Sequence, residues 1–95
     1  MIIYAGTITM EPEDRDRYLA LRVEPTRAYR AQPGVLGYAI TADAVDPAVV
    51  NVFECYEDET ALAAHQAVHE RNVEVPVRSY DLYRYDGTRA AFMVS

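Results

Sequence analysis

Twice within 95 residues the hydrophobic pattern changes from a period of two to a period near 3.6 and back. That double switch constrains the fold more than any single motif does. Alternation puts side chains on the two faces of a strand, whereas the longer period lays an apolar stripe along a helix. Ile2 to Met10 alternates, with Ile2, Tyr4, Ile8 and Met10 on one face. Pro12 suits the first turn of a helix, and Glu13 and Asp14 favour its positive end. A helix is therefore expected over Glu13 to Gln32, with Tyr18, Leu21, Pro25, Ala28 and Tyr29 as its stripe. Pro25 is expected to kink or interrupt it, because the ring removes a hydrogen bond at roughly 3 kcal/mol. Pro33-Gly34 ends the helix. Val35 to Ala42 and Val49 to Glu57 then read as an antiparallel hairpin. Asp58 is the expected N-cap of a second helix over Glu59 to Asn72. Val77 to Tyr85 forms a fourth strand, and the turn-like Asp86-Gly87 leads to a fifth, short strand over Ala90 to Val94.

The order is β-α-β-β-α-β plus a tail: an α+β, ferredoxin-like fold with an antiparallel sheet, expected to form a single domain over residues 1–95. Neither face of the second and third strands is plainly polar. Leu36, Tyr38 and Ile40 oppose Val35 and Ala39, and Val50, Val52 and Tyr56 oppose Val49, Phe53 and Cys55. Both faces are therefore expected to be buried, yet two helices can cover only one. The other is expected to pack on a second subunit, giving a homodimer.

Composition narrows the function by exclusion. A net charge of −6 argues against sequence-independent nucleic-acid binding, which needs clustered cations. No apolar run is long enough to span a bilayer and no basic-then-apolar leader is evident, so no membrane partner and a cytoplasmic location are expected. Every cation is Arg, which removes lysine Schiff-base chemistry. Ser79 and Ser95 lie in no nucleophile elbow, and the glycines form no dinucleotide or phosphate loop. The lone Cys55 excludes an internal disulfide and a Cys-only metal cage.

Candidate chemistry centres on His65. It is the one ionisable group well inside the second helix's stripe, among Ala61, Ala64, Val68 and Asn72. It is either a packed core histidine or a neutral imidazole able to accept a proton in a pocket. His69 follows at i+4, but without an H-E-x-x-H pattern or an evident third ligand no metal centre is expected. Glu54 shares a strand face with Val50, Val52 and Tyr56. A carboxylate there must be ion-paired, with Arg22 or Arg84 as candidates, or serve as a second acid–base group with a raised pKa. Tyr38, Tyr56, Tyr80, Tyr83 and Tyr85 are spread over strands two to four; most are expected to pack in core or interface and one or two to stack on a planar ligand, with Arg22, Arg84 and Asn72 as candidate further contacts. Tyr80 faces opposite to Tyr83 and Tyr85, so these three do not line one cavity.

Arg30-Ala31-Gln32-Pro33-Gly34-Val35-Leu36-Gly37-Tyr38, followed by Val52-Phe53-Glu54-Cys55-Tyr56-Glu57-Asp58-Glu59-Thr60-Ala61-Leu62-Ala63-Ala64-His65, resembles the antibiotic biosynthesis monooxygenase domain. The family pattern runs roughly R-A-x-P-G-x-L-x-Y and then V-F-E-x-W/Y-x-D-x-x-A-L-x-A-H. The resemblance implies a dimeric α+β barrel with a pocket between each sheet and its helices. It also implies oxidation of phenolic or quinol-type aromatics by O2 with no flavin, haem or metal cofactor. His65 matches the family's helix histidine and Glu54 its strand glutamate, and Tyr56 stands where many members carry Trp. The chain has no Trp. At the start of the first strand it offers Ala5, Gly6 and Thr7 where haem-degrading relatives place Asn. The implied reading is a cofactor-independent monooxygenase with His65, Tyr56 and Glu54 as its catalytic set. The alternatives are a small-molecule-binding or accessory dimer and, less favoured, a haem-binding protein.

Overall fold

The computed structural model describes residues 1–72 and 74–88. The elements run β1 (Ile2–Thr9), a 3-10 turn (Pro12–Asp14), α1 (Arg15–Arg30), β2 (Val35–Ala42), β3 (Val49–Tyr56), α2 (Glu59–Val68) and β4 (Ser79–Asp86). The strands lie in the order β2-β3-β1-β4, and every neighbouring pair is antiparallel. Two strand–helix–strand units thus interlock, each with its parallel strands separated by one strand of the other. This is the expected ferredoxin-like α+β fold.

Burial follows the alternation along the central strands. Ile2 and Ile8 of β1 lie opposite Tyr56 and Val50 of β3, and all four are buried beneath the helices. Two apolar clusters result. Ile8, Met10, Val50 and Val52 pack on Tyr18 of α1, and Ile2 and Tyr56 pack on Ala61 and Leu62 of α2. The stretch of sheet between them holds the polar side chains described below.

Several boundaries differ from expectation. α1 runs unbroken through Pro25. Tyr18 and Tyr29, each 4% exposed, anchor the turns before and after the proline, so packing offsets the missing bond. α2 stops at Val68 instead of reaching Asn72, because the backbone after it is satisfied elsewhere. Tyr29 Oη accepts from the Glu70 amide at 2.8 Å, and Asn72 closes a turn onto Glu74 and Val75. Asp58 caps α2 as expected, its Oδ1 accepting from Ala61 N at 2.9 Å. Gly34 has φ of +80°, and a Cβ there would lie 2.5 Å from Ala61 Cβ, so glycine lets the start of β2 approach α2. Asp86 remains in β4, and Gly87 still pairs with Met1 instead of turning. The expected fifth strand lies outside the described residues. The outer sheet face, expected to be buried, is open in the single chain: Phe53, Tyr83 and Tyr85 are 42%, 56% and 55% exposed.

Candidate active site

Glu54 sits at the middle of the inner sheet face, opposite Tyr4 of β1 and Tyr38 of β2. Strand parity forces it there: Val50, Val52 and Tyr56 must face the core, and Glu54 shares their side. Its carboxylate accepts a hydrogen bond from the Tyr56 hydroxyl, and His65 Nε2 lies 3.9 Å from the same oxygen. Burial raises the Glu54 pKa above its ordinary value, against the opposing pulls of the Tyr56 hydrogen bond and the Arg22 charge. The expected alternative of an ion pair is not what the side chains form. Arg22 acts on Glu54 through charge alone, and Arg84 is bound to Glu59 and Asp86.

His65 is 3% exposed and packed against three tyrosines, with ring centroids 4.7 Å from Tyr29, 5.5 Å from Tyr38 and 5.2 Å from Tyr56. Its Nδ1 lies 3.1 Å from Gln32 Oε1. An amide oxygen only accepts, so Nδ1 carries the hydrogen and, in the neutral ring, Nε2 presents its lone pair to Glu54. Burial, then the neighbouring His69, lowers the His65 pKa, which favours that neutral ring. A proton taken up by Glu54 therefore lies close to the Nε2 lone pair, 3.9 Å from the carboxylate oxygen. Burial thus acts on both groups toward the neutral form, raising the Glu54 pKa and lowering that of His65.

Beside Glu54 a cavity of about 280 Å³ opens between the sheet and the chain that follows α2. Tyr18, Tyr38, Ile40, Val52, Tyr80 and Leu82 supply its walls, and Arg22, Glu54, His69, Glu70, Arg71 and Asn72 its polar residues. α1 ties down the segment that closes it. Tyr29 holds the Glu70 amide, Arg22 Nη1 reaches the Glu70 carbonyl at 3.4 Å, and Arg17 Nη2 donates to the Glu74 carbonyl at 2.6 Å. Burial raises the pKa of the Tyr38 phenol well above the ordinary tyrosine range, as does the charge of Glu54, so this wall is a neutral hydroxyl.

Of the residues singled out from sequence, Glu54, Tyr38, Arg22 and Asn72 meet at this cavity. Tyr56 is wholly buried and touches Glu54 from behind. His65 borders a separate, smaller hollow of about 240 Å³ with Tyr4, Leu62 and Gln66, while Glu54 and His69 line both. Arg84 lies on neither. The sequence reading gave no site role to Tyr18, Tyr29, Gln32 or Tyr80. Tyr18 and Tyr29 were visible only as helix stripe, and Gln32 only as a helix end. Tyr80 could have been found from its face, shared with Leu82 and not with Tyr83.

An antiparallel sheet carrying two helices, with an acid and aromatic walls between the layers, defines a small-molecule-pocket protein of the ferredoxin-like class. The chain belongs to the antibiotic biosynthesis monooxygenase family, whose sequence profile matches residues 1–70. It is similar in fold to a Deinococcus radiodurans protein described under that family name, at 20% identity over 100% of both chains with a TM-score of 0.81. A second protein so described, from Nitrosomonas europaea, is 15% identical over 92% of this chain and 98% of its own, with a TM-score of 0.72. The haem-degrader MhuD of Mycobacterium tuberculosis, solved with two haems in its active site, has the same fold at 12% identity. It covers 96% of this chain and 99% of its own with a TM-score of 0.70. No protein of curated function matches the chain.

Proposed function

We propose that this chain is a cofactor-independent monooxygenase that oxidises a small phenolic or quinol-type aromatic with O2, and that Glu54 is its proton acceptor. The observation that carries the reading is a buried carboxyl with a raised pKa on the wall of an aromatic-lined cavity. A group whose pKa is shifted toward neutrality suits general acid–base work. A neutral phenol gives up an electron to O2 poorly, whereas its phenolate does so readily. Glu54 takes the phenol proton, and the Arg22 guanidinium offsets the charge left on the ring oxygen. One electron passes to O2, the two radicals combine at a ring C–H carbon to give a peroxide anion, and cleavage of its O–O bond with loss of that carbon's hydrogen leaves the quinone and hydroxide. The balance is phenol plus O2 to quinone plus water, with Glu54 returning its proton to the departing hydroxide. His65 stands behind Glu54 and shares its proton instead of meeting the substrate, and Tyr56 holds the carboxylate in place. Tyr38 and Tyr80 flank the ring, with Asn72 at the closing segment.

The cavity volume, about 280 Å³, lies at the low end of the roughly 300–1,000 Å³ usual for ligand pockets and favours substrates of one or two rings. The functional unit is a homodimer joined through the outer sheet face, where Phe53, Tyr83 and Tyr85 leave an apolar patch that one subunit alone does not cover. Oxygen uptake with mono- and bicyclic hydroquinones and naphthols, measured after metal chelation, tests the activity. Uptake matched by quinone formation is expected. No uptake across that panel, or uptake only after haem is added and a Soret band appears, overturns it in favour of a binding or haem protein.

A further inference from the structure

We propose that the groove between α1 and the edge strand β2 is a second binding site, for a small organic oxyanion with an apolar body. The groove holds about 380 Å³. Leu19 and Val23 of α1 and Ile40 of β2 give it aliphatic walls, and Arg22, Arg27 and Arg30 are among its lining residues. Among the described residues no acidic side chain lines it, in a chain with fifteen acids and nine arginines. One third of all the cations of an acidic protein therefore line one hollow.

Arg30 and Arg27 are held in ways that leave capacity for a ligand, whereas the Arg22 guanidinium already reaches the Glu70 carbonyl. Arg30 Nε donates to the Tyr38 carbonyl at 2.7 Å, which fixes the plane of the group and leaves its two terminal nitrogens without a partner among the described residues. Arg27 pairs with Glu24 at 3.4 Å, but both side chains are more than 70% exposed, so an incoming anion can replace that contact at little cost. Arg22 is buried and forms the inner end of the groove. Thr26 adds a hydroxyl on the α1 wall, and Thr41 lines the β2 edge. Planar forks with neutral donors beside them match a carboxylate or phosphate ester, and the aliphatic walls match its apolar part. Arg27 and Arg30 also complement the negative end of the α1 dipole. That role explains neither Arg22, two turns earlier, nor the aliphatic hollow.

Arg22 and Ile40 line this groove and the Glu54 cavity alike, so the two sites share a wall of two side chains. An oxyanion in the groove therefore lies next to the side chain whose guanidinium offsets charge beside Glu54. The inference itself does not depend on the reaction assigned to that cavity.

Titration calorimetry with octanoate, octyl phosphate, inorganic phosphate and 1-octanol tests the proposal, with amide shifts of Thr26, Arg27 and Thr41 followed by NMR. Octanoate or octyl phosphate is expected to bind more tightly than phosphate or octanol, with affinity falling as salt rises. Which of the two binds more tightly identifies the head group. Val23→Glu, at a half-exposed position, is expected to weaken binding about tenfold through like-charge repulsion, and Arg27→Ala about threefold. Neither residue lines the Glu54 cavity. Octanoate and octyl phosphate binding no better than octanol, or binding both variants as tightly as the parent protein, overturns the proposal.

Discussion

Phe53 and Glu54 are neighbours in β3, and they invert the usual assignment of residues to environments. The phenylalanine is 42% exposed on the outer sheet face, while the glutamate's side chain, 16% exposed, lies beneath the helices. The one-residue alternation of a strand sends them to opposite faces, and the flanking Val52 and Tyr56 decide which face is the core. An apolar face left open and a charged group taken inside both cost free energy in an isolated chain. Each is intelligible if something covers the first and uses the second. On the proposed function the inner face serves chemistry and the outer face association, and substitutions on the two should separate accordingly.

The largest separation is expected from Glu54→Gln. Turnover of a hydroxyaromatic should fall by about 10²–10⁴-fold, the usual contribution of a positioned general base. Stability should move the other way. Because burial raises the Glu54 pKa, its contribution is fully present below the ordinary value of 4.5 and is lost as pH rises through the folded-state pKa. The advantage of the glutamine variant in chemical denaturation should therefore appear above pH 4.5 and level off once the carboxyl is ionised. A variant no more stable than the parent at neutral pH would mean that Glu54 is better compensated than its surroundings indicate. Tyr56→Phe tests the same group from behind. It removes a hydroxyl donor from a buried carboxylate, so it should cost about 1–3 kcal/mol in denaturant titration. It should also shift the acidic limb of the pH–rate profile upward, because the hydrogen bond holds the Glu54 pKa down. A loss of stability with an unmoved profile would separate Tyr56 from the proton chemistry.

On the outer face the expected effect is on assembly. Phe53→Asp should leave the chain folded by circular dichroism, since the side chain is already partly in water, and should convert a dimer into monomers by light scattering. A dimer that survives the change would move the interface away from the middle of this sheet face.

What could be read in advance followed from periodicity. The order of the elements, the hairpin, the Asp58 cap and the inward face of Glu54 all depend on spacing within one segment. What could not be read depends on contacts between segments. The end of α2 at Val68 is set by Tyr29 of another helix and by the turn that Asn72 builds. The tautomer of His65 is set by Gln32, 33 residues away in sequence. Periodicity gave His65 its inward direction but not its position behind Glu54, because which side chain reaches a cavity first depends on the approach of helix to sheet.

Arg84 provides the smallest expected effect and the sharpest control. By strand parity it belongs with Glu54, since it stands opposite Tyr4 on the inner face. Yet β4 is an edge strand with every residue exposed, and there the inner face is no longer an interior. The Arg84 guanidinium accordingly turns to Glu59 and Asp86. Exposed pairs of this kind contribute little, because water and salt screen them and holding long side chains still opposes the gain. Arg84→Ala should therefore leave turnover within about twofold of the parent and thermal stability unchanged within error, with salt making no further difference. A loss of activity comparable to that of Glu54→Gln would show that the site extends along β4 beyond Tyr80 and Leu82 as far as Arg84, and that parity, more than enclosure, determines which residues serve it.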